Sequence, residues 1–256
     1  MKRKVFIFSL ISVFLIFCVW FLSLKPSNMR SWAVEFSRLP KIEISGHQIV
    51  IKNFRDFKWQ NARVFEPVFT NEVFDLSKLD RLDLIVEPFK DSDYLAHTML
   101  RFGFSDHNSL IVSVEARRED HETYSLPAGF FRQFELIYVF GSEEDLLGLR
   151  AIARKARLYR YPIKADQRFM ADLLKDLARS ANSLNQTPKF YRSILDNCTT
   201  TLVKHFDRLA PQRIGLRKET ILPAMTGKLL YQMGYMDTDL SYEQAKEHFR
   251  IDQTIR

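Results

Sequence analysis

The stretch Asp196–Asn197–Cys198–Thr199–Thr200–Thr201 places a single thiol where a helix should begin. The chain has two cysteines, and the other, Cys18, lies in an N-terminal apolar segment, so Cys198 has no obvious disulfide partner. Asp196 and Asn197 are favoured N-cap residues, and Leu202, Val203, Phe206 and Leu209 recur behind them at helical spacing. A cysteine in the first helical turn meets unpaired N–H groups and the positive end of the helix dipole, which favour the thiolate. The same N–H groups can hold the oxyanion of an acyl-transfer intermediate. The commoner fate of a lone cysteine is that of a small buried hydrophobe. A polar cap before it and three threonines after it weigh against a greasy core.

A thiolate nucleophile needs a base, and the chain offers six histidines. His107 sits in a turn, His121 in a charged loop and His248 near the C-terminus, and solvation explains all three; His47 stands alone. His205 follows Cys198 by seven residues, two helical turns or roughly 10 Å along the axis, too far for direct proton transfer. His97 remains. It opens an apolar strand pattern, Ala96 to Phe104, and a strand-borne histidine facing a helix-borne cysteine makes a thiol–imidazole pair. If the chain reverses near His107, then Ser113, Glu115 and Arg117 on the returning strand face the same way as His97. Glu115 can then accept the second imidazole N–H and fix the tautomer. The alternative is a plain cross-strand ion pair between Glu115 and Arg117.

The elements that must position these groups are strands first and helices second. Ile42, Ile44, Ile49 and Ile51 alternate around Gly46–His47–Gln48, the pattern of a short hairpin. Leu79–Val86, Ala96–Phe104, Leu110–Glu115 and Phe131–Phe140 read as further strands, with Ser105–Ser109 as a turn. Ser142–Glu143–Glu144–Asp145 caps a helix expected to run to about Ala156. Leu158–Ile163 is one more strand, Asp166–Ala181 a helix, and Tyr242–Phe249 a late helix. Strands followed by helices predict an α+β fold, an antiparallel sheet packed with helices. Arg150, Arg154, Lys155, Arg157 and Arg160 form a basic run, read as a solvated helix face rather than a site for anionic lipid or polyanion.

The first thirty residues stand apart. Val5 to Leu24 is an uncharged run of twenty residues, long enough to span a bilayer, and Lys2, Arg3 and Lys4 precede it. The positive-inside rule puts that end in the cytoplasm, and the missing small-x-small cleavage site favours a signal anchor over a cleaved signal. The expected organisation is an anchor over residues 1–30, spanning the membrane at 5–24, and an extracytoplasmic domain over 31–256. Five of the 38 basic side chains lie in residues 1–30, leaving 33 against 31 acidic ones. The domain is therefore nearly neutral, which argues against a nucleic-acid binder. No histidine–carboxylate cluster has metal-ligand spacing, and the thiol chemistry needs neither metal nor organic cofactor.

His97–Thr98–Met99–Leu100–Arg101–Phe102–Gly103–Phe104, Val112–Ser113–Val114–Glu115–Ala116–Arg117 and Asn197–Cys198–Thr199–Thr200 together resemble the N-terminal periplasmic domain of Lnb-type lipoprotein N-acyltransferases, over about residues 50–215. The order of histidine and Asn–Cys pair also resembles the circularly permuted papain-like, NlpC-type superfamily. The resemblance implies a bacterial inner-membrane protein with Cys198 as nucleophile, His97 as base, and a thioester intermediate. Asn197, Thr199, Ser113 and Arg117 are the neighbours expected to support the pair or bind substrate. In Lnb-type enzymes the acyl chain passes from a lipoprotein's diacylglyceryl group to its N-terminal amine, which makes a lipoprotein or lipid ester the expected substrate. Two other readings stay open, a peptidoglycan peptidase or amidase and a non-catalytic envelope scaffold.

Overall fold

The computed structural model describes residues 2–90 and 92–254. Helix α1 (Lys2–Ser23) carries the apolar run and buries none of its residues. The hairpin around Gly46 follows as β1 (Lys41–Ser45) and β2 (Gln48–Arg55), with Ile44 opposite Ile49. The segment around Trp59 forms a small ribbon, β3 (Lys58–Trp59) with β4 (Phe65–Glu66), and β5 (Phe69–Asp75) returns to pair with β2. Three long strands come next, β6 (Leu79–Pro88), β7 (Ala96–Phe104) and β8 (Ser109–Arg117). Short helix α2 (Leu126–Phe130) leads into β9 (Glu135–Gly141), α3 (Glu143–Gly148) and β10 (Tyr159–Pro162). Helices α4 (Gln167–Gln186), α5 (Cys198–Leu209), α6 (Lys218–Ile221), α7 (Thr226–Gln232) and α8 (Tyr242–His248) complete the described chain. This is the expected α+β fold.

The strands lie in the order β1-β2-β9-β8-β7-β6-β10. All ladders are antiparallel except one contact, where Arg55 of β2 meets Gly141 of β9 in parallel. Gly141 suits that close approach, because a Cβ there would lie 2.7 Å from the Arg55 carbonyl oxygen.

Strands β6 to β9 are covered on both faces. Phe134, Leu136, Tyr138 and Phe140 point to one side, where Leu173, Leu174 and Leu177 of α4 and Leu202 of α5 close the larger core. Ile137, Val139, Ile111, Met99 and Ile85 point to the other side, onto Ala33, Phe36, Leu146 and Leu147. On this second face the strands change character along their length. Past Met99 and Ile111 come His97, Ser113 and Glu115, ionisable or polar positions. Here β7 and β8 also part: their pairing ends at Met99↔Ser113, whereas β6 stays with β7 to Pro88↔Ala96. The backbone of residues 96–98 is thus open on one side, and the first turn of α5 occupies that fork.

Four expectations are corrected. The helix capped by Ser142 does not run to Ala156: α3 ends at Gly148 and widens into a π-turn over Leu149–Ala153. The reason is Arg150, predicted to sit on a solvated face but 3 % exposed, with Nη1 bonded to the Leu146 carbonyl and the rest of its guanidinium drawn to carboxylates under the sheet. The strand read from Phe131 starts only at Glu135, because Ser125 caps a helix with Pro127 in its first turn. Arg117, expected beside the site, instead secures the segment after the anchor. It donates to the Phe36 carbonyl at 2.9 Å and to Asn28 Oδ1 at 3.0 Å, and its guanidinium stacks on Trp32 at 4.1 Å. The juxtamembrane residues are therefore docked on the domain rather than free.

Helix α5 is held to the sheet by a second histidine. Its buried His205 places Nε2 2.8 Å from Tyr138 Oη and Nδ1 2.8 Å from Asp176 Oδ2 of α4, with Arg208 Nη2 2.7 Å from the same Nδ1. Burial, helped by the charge of Arg208, keeps the ring neutral and pushes its pKa down to about 4 although Asp176 pulls the other way. A folded ring that refuses its proton until about pH 4, against 6.5 when free, makes stability fall as pH drops through that window. The loss should reach about 3 kcal/mol on acidification from neutral pH. Denaturant unfolding at pH 7 and pH 4.5 should show this step in the wild type and a smaller one in His205→Gln. Equal acid losses in both proteins would remove His205 from the account.

Candidate active site

Helix α5 begins as its sequence demands. Asn197 accepts the Thr200 N–H at 2.8 Å, Thr200 Oγ1 accepts the Asn197 N–H at 3.0 Å, and Asn197 Nδ2 reaches the Ser193 carbonyl at 2.9 Å. This reciprocal cap fixes the first turn and leaves the N–H groups of Cys198 and Thr199 without intrahelical acceptors. Asn197 thus positions the turn. Cys198, buried, places Sγ 3.9 Å from the Ala96 carbonyl oxygen and 3.8 Å from Thr199 Oγ1. Thr199 in turn bonds Thr98 Oγ1 at 2.9 Å, tying helix to strand on the far side of the sulfur.

His97 comes from the opposite face of the sheet. Its Nε2 lies 2.7 Å from Ser113 Oγ and 3.1 Å from Glu115 Oε1, while Ser113 Oγ donates to that same oxygen at 2.7 Å. The expected set of His97, Ser113 and Glu115 is therefore assembled, and Nδ1 is the ring nitrogen left for the thiol. Glu115 does not pair with Arg117. Its cation is Arg150, whose Nη2 stands 2.9 Å from Oε1 and whose Nε bonds Glu87 Oε2 at 2.7 Å. Glu87 is directly opposite His97 across the β6–β7 ladder.

The charges follow from this packing. Burial opposes a charged His97, but the negative charges of Glu115 and Cys198 outweigh it and raise the ring to about 10. Burial likewise opposes a Cys198 thiolate, yet the His97 charge, the Thr98 N–H and Thr199 bring the thiol below its ordinary value. Glu115 is buried too, and His97, Arg150 and Ser113 hold it well below the usual carboxylate range. These directions favour the charged forms of both groups, a thiolate and an imidazolium backed by a carboxylate and a guanidinium.

The pair opens into a cavity of about 270 Å³, whose lining includes the apolar Phe89, Leu95, Leu126 and Pro223 and the basic Arg118 and Arg154. Tyr124 and Tyr191, in edge-to-face contact at 6.2 Å, form another wall. Sequence reasoning missed Glu87, Arg150 and both tyrosines. One signal for Arg150 was present: leucines at 146, 147 and 149 surround it, a poor setting for a solvated face. The neighbouring Arg154, Lys155 and Arg157 are exposed as expected.

Strand histidine, its carboxylate partner and a cysteine in the first turn of a capped helix, at the forked end of one sheet, define an α+β domain with a thiol–imidazole site. The chain belongs to the Lnb N-terminal periplasmic domain family, matched over residues 65–233, a span that begins and ends later in the chain than the 50–215 on which the resemblance was read. No curated protein and no solved structure matches it. That membership, with an N-terminal apolar helix of 22 residues, is that of a membrane-anchored protein carrying a periplasmic domain.

Glu115→Gln tests the electrostatics. Without the carboxylate charge, the His97 pKa should fall from about 10 towards or below the free value of 6.5, read by NMR of the imidazole carbons. Because Arg150 would keep only Glu87, stability should drop by about 3 kcal/mol. An unmoved His97 titration would refute Glu115 as the orienting group.

Proposed function

We propose that the protein is a membrane-anchored cysteine acyltransferase or hydrolase of the cell envelope that works through a Cys198 thioester. The observation that carries this reading is a buried thiol, lowered in pKa by a strand histidine, facing a cavity at a capped helix N-terminus. Structural stability does not require such a charge pair, and perturbed groups of this kind gather at functional sites.

The steps follow from the positions. The Cys198 thiolate attacks an ester or amide carbonyl, forming a C–S bond, and the oxygen takes up the negative charge. Free N–H groups in the first turn of α5 donate to that oxyanion. Collapse of the intermediate breaks the bond to the leaving group, which takes a proton from His97 and departs as alcohol or amine. The thioester is then resolved by water or by an acceptor amine, with neutral His97 removing its proton. Glu115 keeps the imidazole oriented throughout, and Arg150 and Glu87 hold Glu115. Family and anchor both favour lipid-linked esters, a lipoprotein or lipid acyl group, as donor.

The test is acid quenching of the full chain in detergent after mixing with 4-nitrophenyl butyrate, followed by intact-protein and peptide mass spectrometry. Acylation should appear on Cys198, be absent in Cys198→Ala, and be slower in His97→Ala by about 10²–10⁴-fold. A wild-type protein that forms no adduct, or forms it equally fast without His97, would leave a non-catalytic envelope domain.

A further inference from the structure

Two adjacent loops beside the cavity carry large apolar side chains that no core covers. Phe130 ends α2 and Phe131 follows it, 49 % and 50 % exposed, while Ile194 and Leu195 are 38 % and 43 % exposed. Ser193 Oγ donates to the Leu126 carbonyl at 2.8 Å, so the second loop rests on the first turn of α2. Four exposed apolar residues grouped in this way mark a surface that meets a partner.

The occupant is indicated by the anchor. Phe17 of α1 meets Phe131 edge-on at 6.1 Å, and Arg132 donates to the Phe21 carbonyl at 3.1 Å while its guanidinium lies over the Phe21 ring at 4.2 Å. The membrane helix therefore ends on this same patch. The chain leaves little slack: the Ser27 N–H is bonded to Glu135 at 3.1 Å, and four residue steps beyond Ser23 span at most about 14 Å. Aromatic and aliphatic side chains beside a basic one, Arg132 here, suit the boundary between headgroups and acyl chains.

We propose that Phe130, Phe131, Ile194 and Leu195 form a second contact with the bilayer that the anchor spans, holding the Cys198 cavity against the lipid surface. Leu126 and Ser193 belong both to these loops and to the cavity lining, so the docked surface borders the mouth of the cavity. An amphiphile whose apolar part stays in the leaflet can then reach Cys198 by lateral diffusion. The contact itself does not depend on the thiol chemistry.

The experiment uses the full chain in vesicles of phosphatidylethanolamine and phosphatidylglycerol, with Cys18→Ser and Cys198→Ala removing the native thiols. Nitroxides are attached through Phe130→Cys, Leu195→Cys or Asn108→Cys, the last in the exposed turn at the far end of β7 and β8. At 130 and 195, collisions with oxygen should exceed those with a water-soluble nickel chelate several-fold, and the order should reverse at 108. Aqueous behaviour at 130 and 195 would overturn the proposal. So would protection from both reagents, which would mean that protein covers the patch. Because the nucleophile is already absent, a failure of the thioester reading leaves these outcomes unchanged.

Discussion

The site depends on compensating a charge that burial would otherwise forbid. A thiolate and an imidazolium inside a protein each carry a desolvation cost of several kcal/mol, so neither ion is stable there alone. Cys198 and His97 offset each other, and His97 is also the first partner of an alternating row: Glu115, Arg150, then Glu87. Each member touches the next at hydrogen-bond distance. Removing one leaves a buried ion without its counter-charge, which makes the row a structural requirement as well as an electrostatic device.

That row explains features of the fold that look incidental. Helix α3 widens after Gly148 because Arg150 has to turn inward beneath the sheet. The β7–β8 ladder stops at Met99↔Ser113 so that helix α5 can insert its capped end where His97 becomes reachable from the other face. Nucleophile and base thus arrive from opposite sides of one sheet. The threonine pair Thr98–Thr199 closes the joint behind them, and His205 fastens the rest of α5 to Tyr138 and Asp176.

Much of this was legible in the residues themselves. The cap at Asn197, the strand at Ala96–Phe104 and the shared face of His97, Ser113 and Glu115 follow from local rules of capping and two-residue alternation. What was not legible depends on contacts between segments distant in sequence. Arg117 has the parity of Glu115 but serves Trp32 and Phe36, because the N-terminal segment crosses the sheet at that level. Arg150 is flanked by leucines at 146, 147 and 149, which hints at burial, but its partners Glu87 and Glu115 come from distant strands that no local pattern connects to it. Tyr124 and Tyr191 come from connections without periodicity, so no pattern announces the wall they form.

The Cys198 thiol is held below its ordinary pKa by the charge of His97 beside it. Thiolate absorbance near 240 nm, followed against pH in Cys18→Ser protein as the difference from Cys18→Ser/Cys198→Ala so that the tyrosinate signal cancels, reads this directly. The account predicts a Cys198 inflection below the free-thiol value of about 8.5, moving upward when His97→Ala is added. A Cys198 inflection at or above 8.5 that is indifferent to His97 would contradict it.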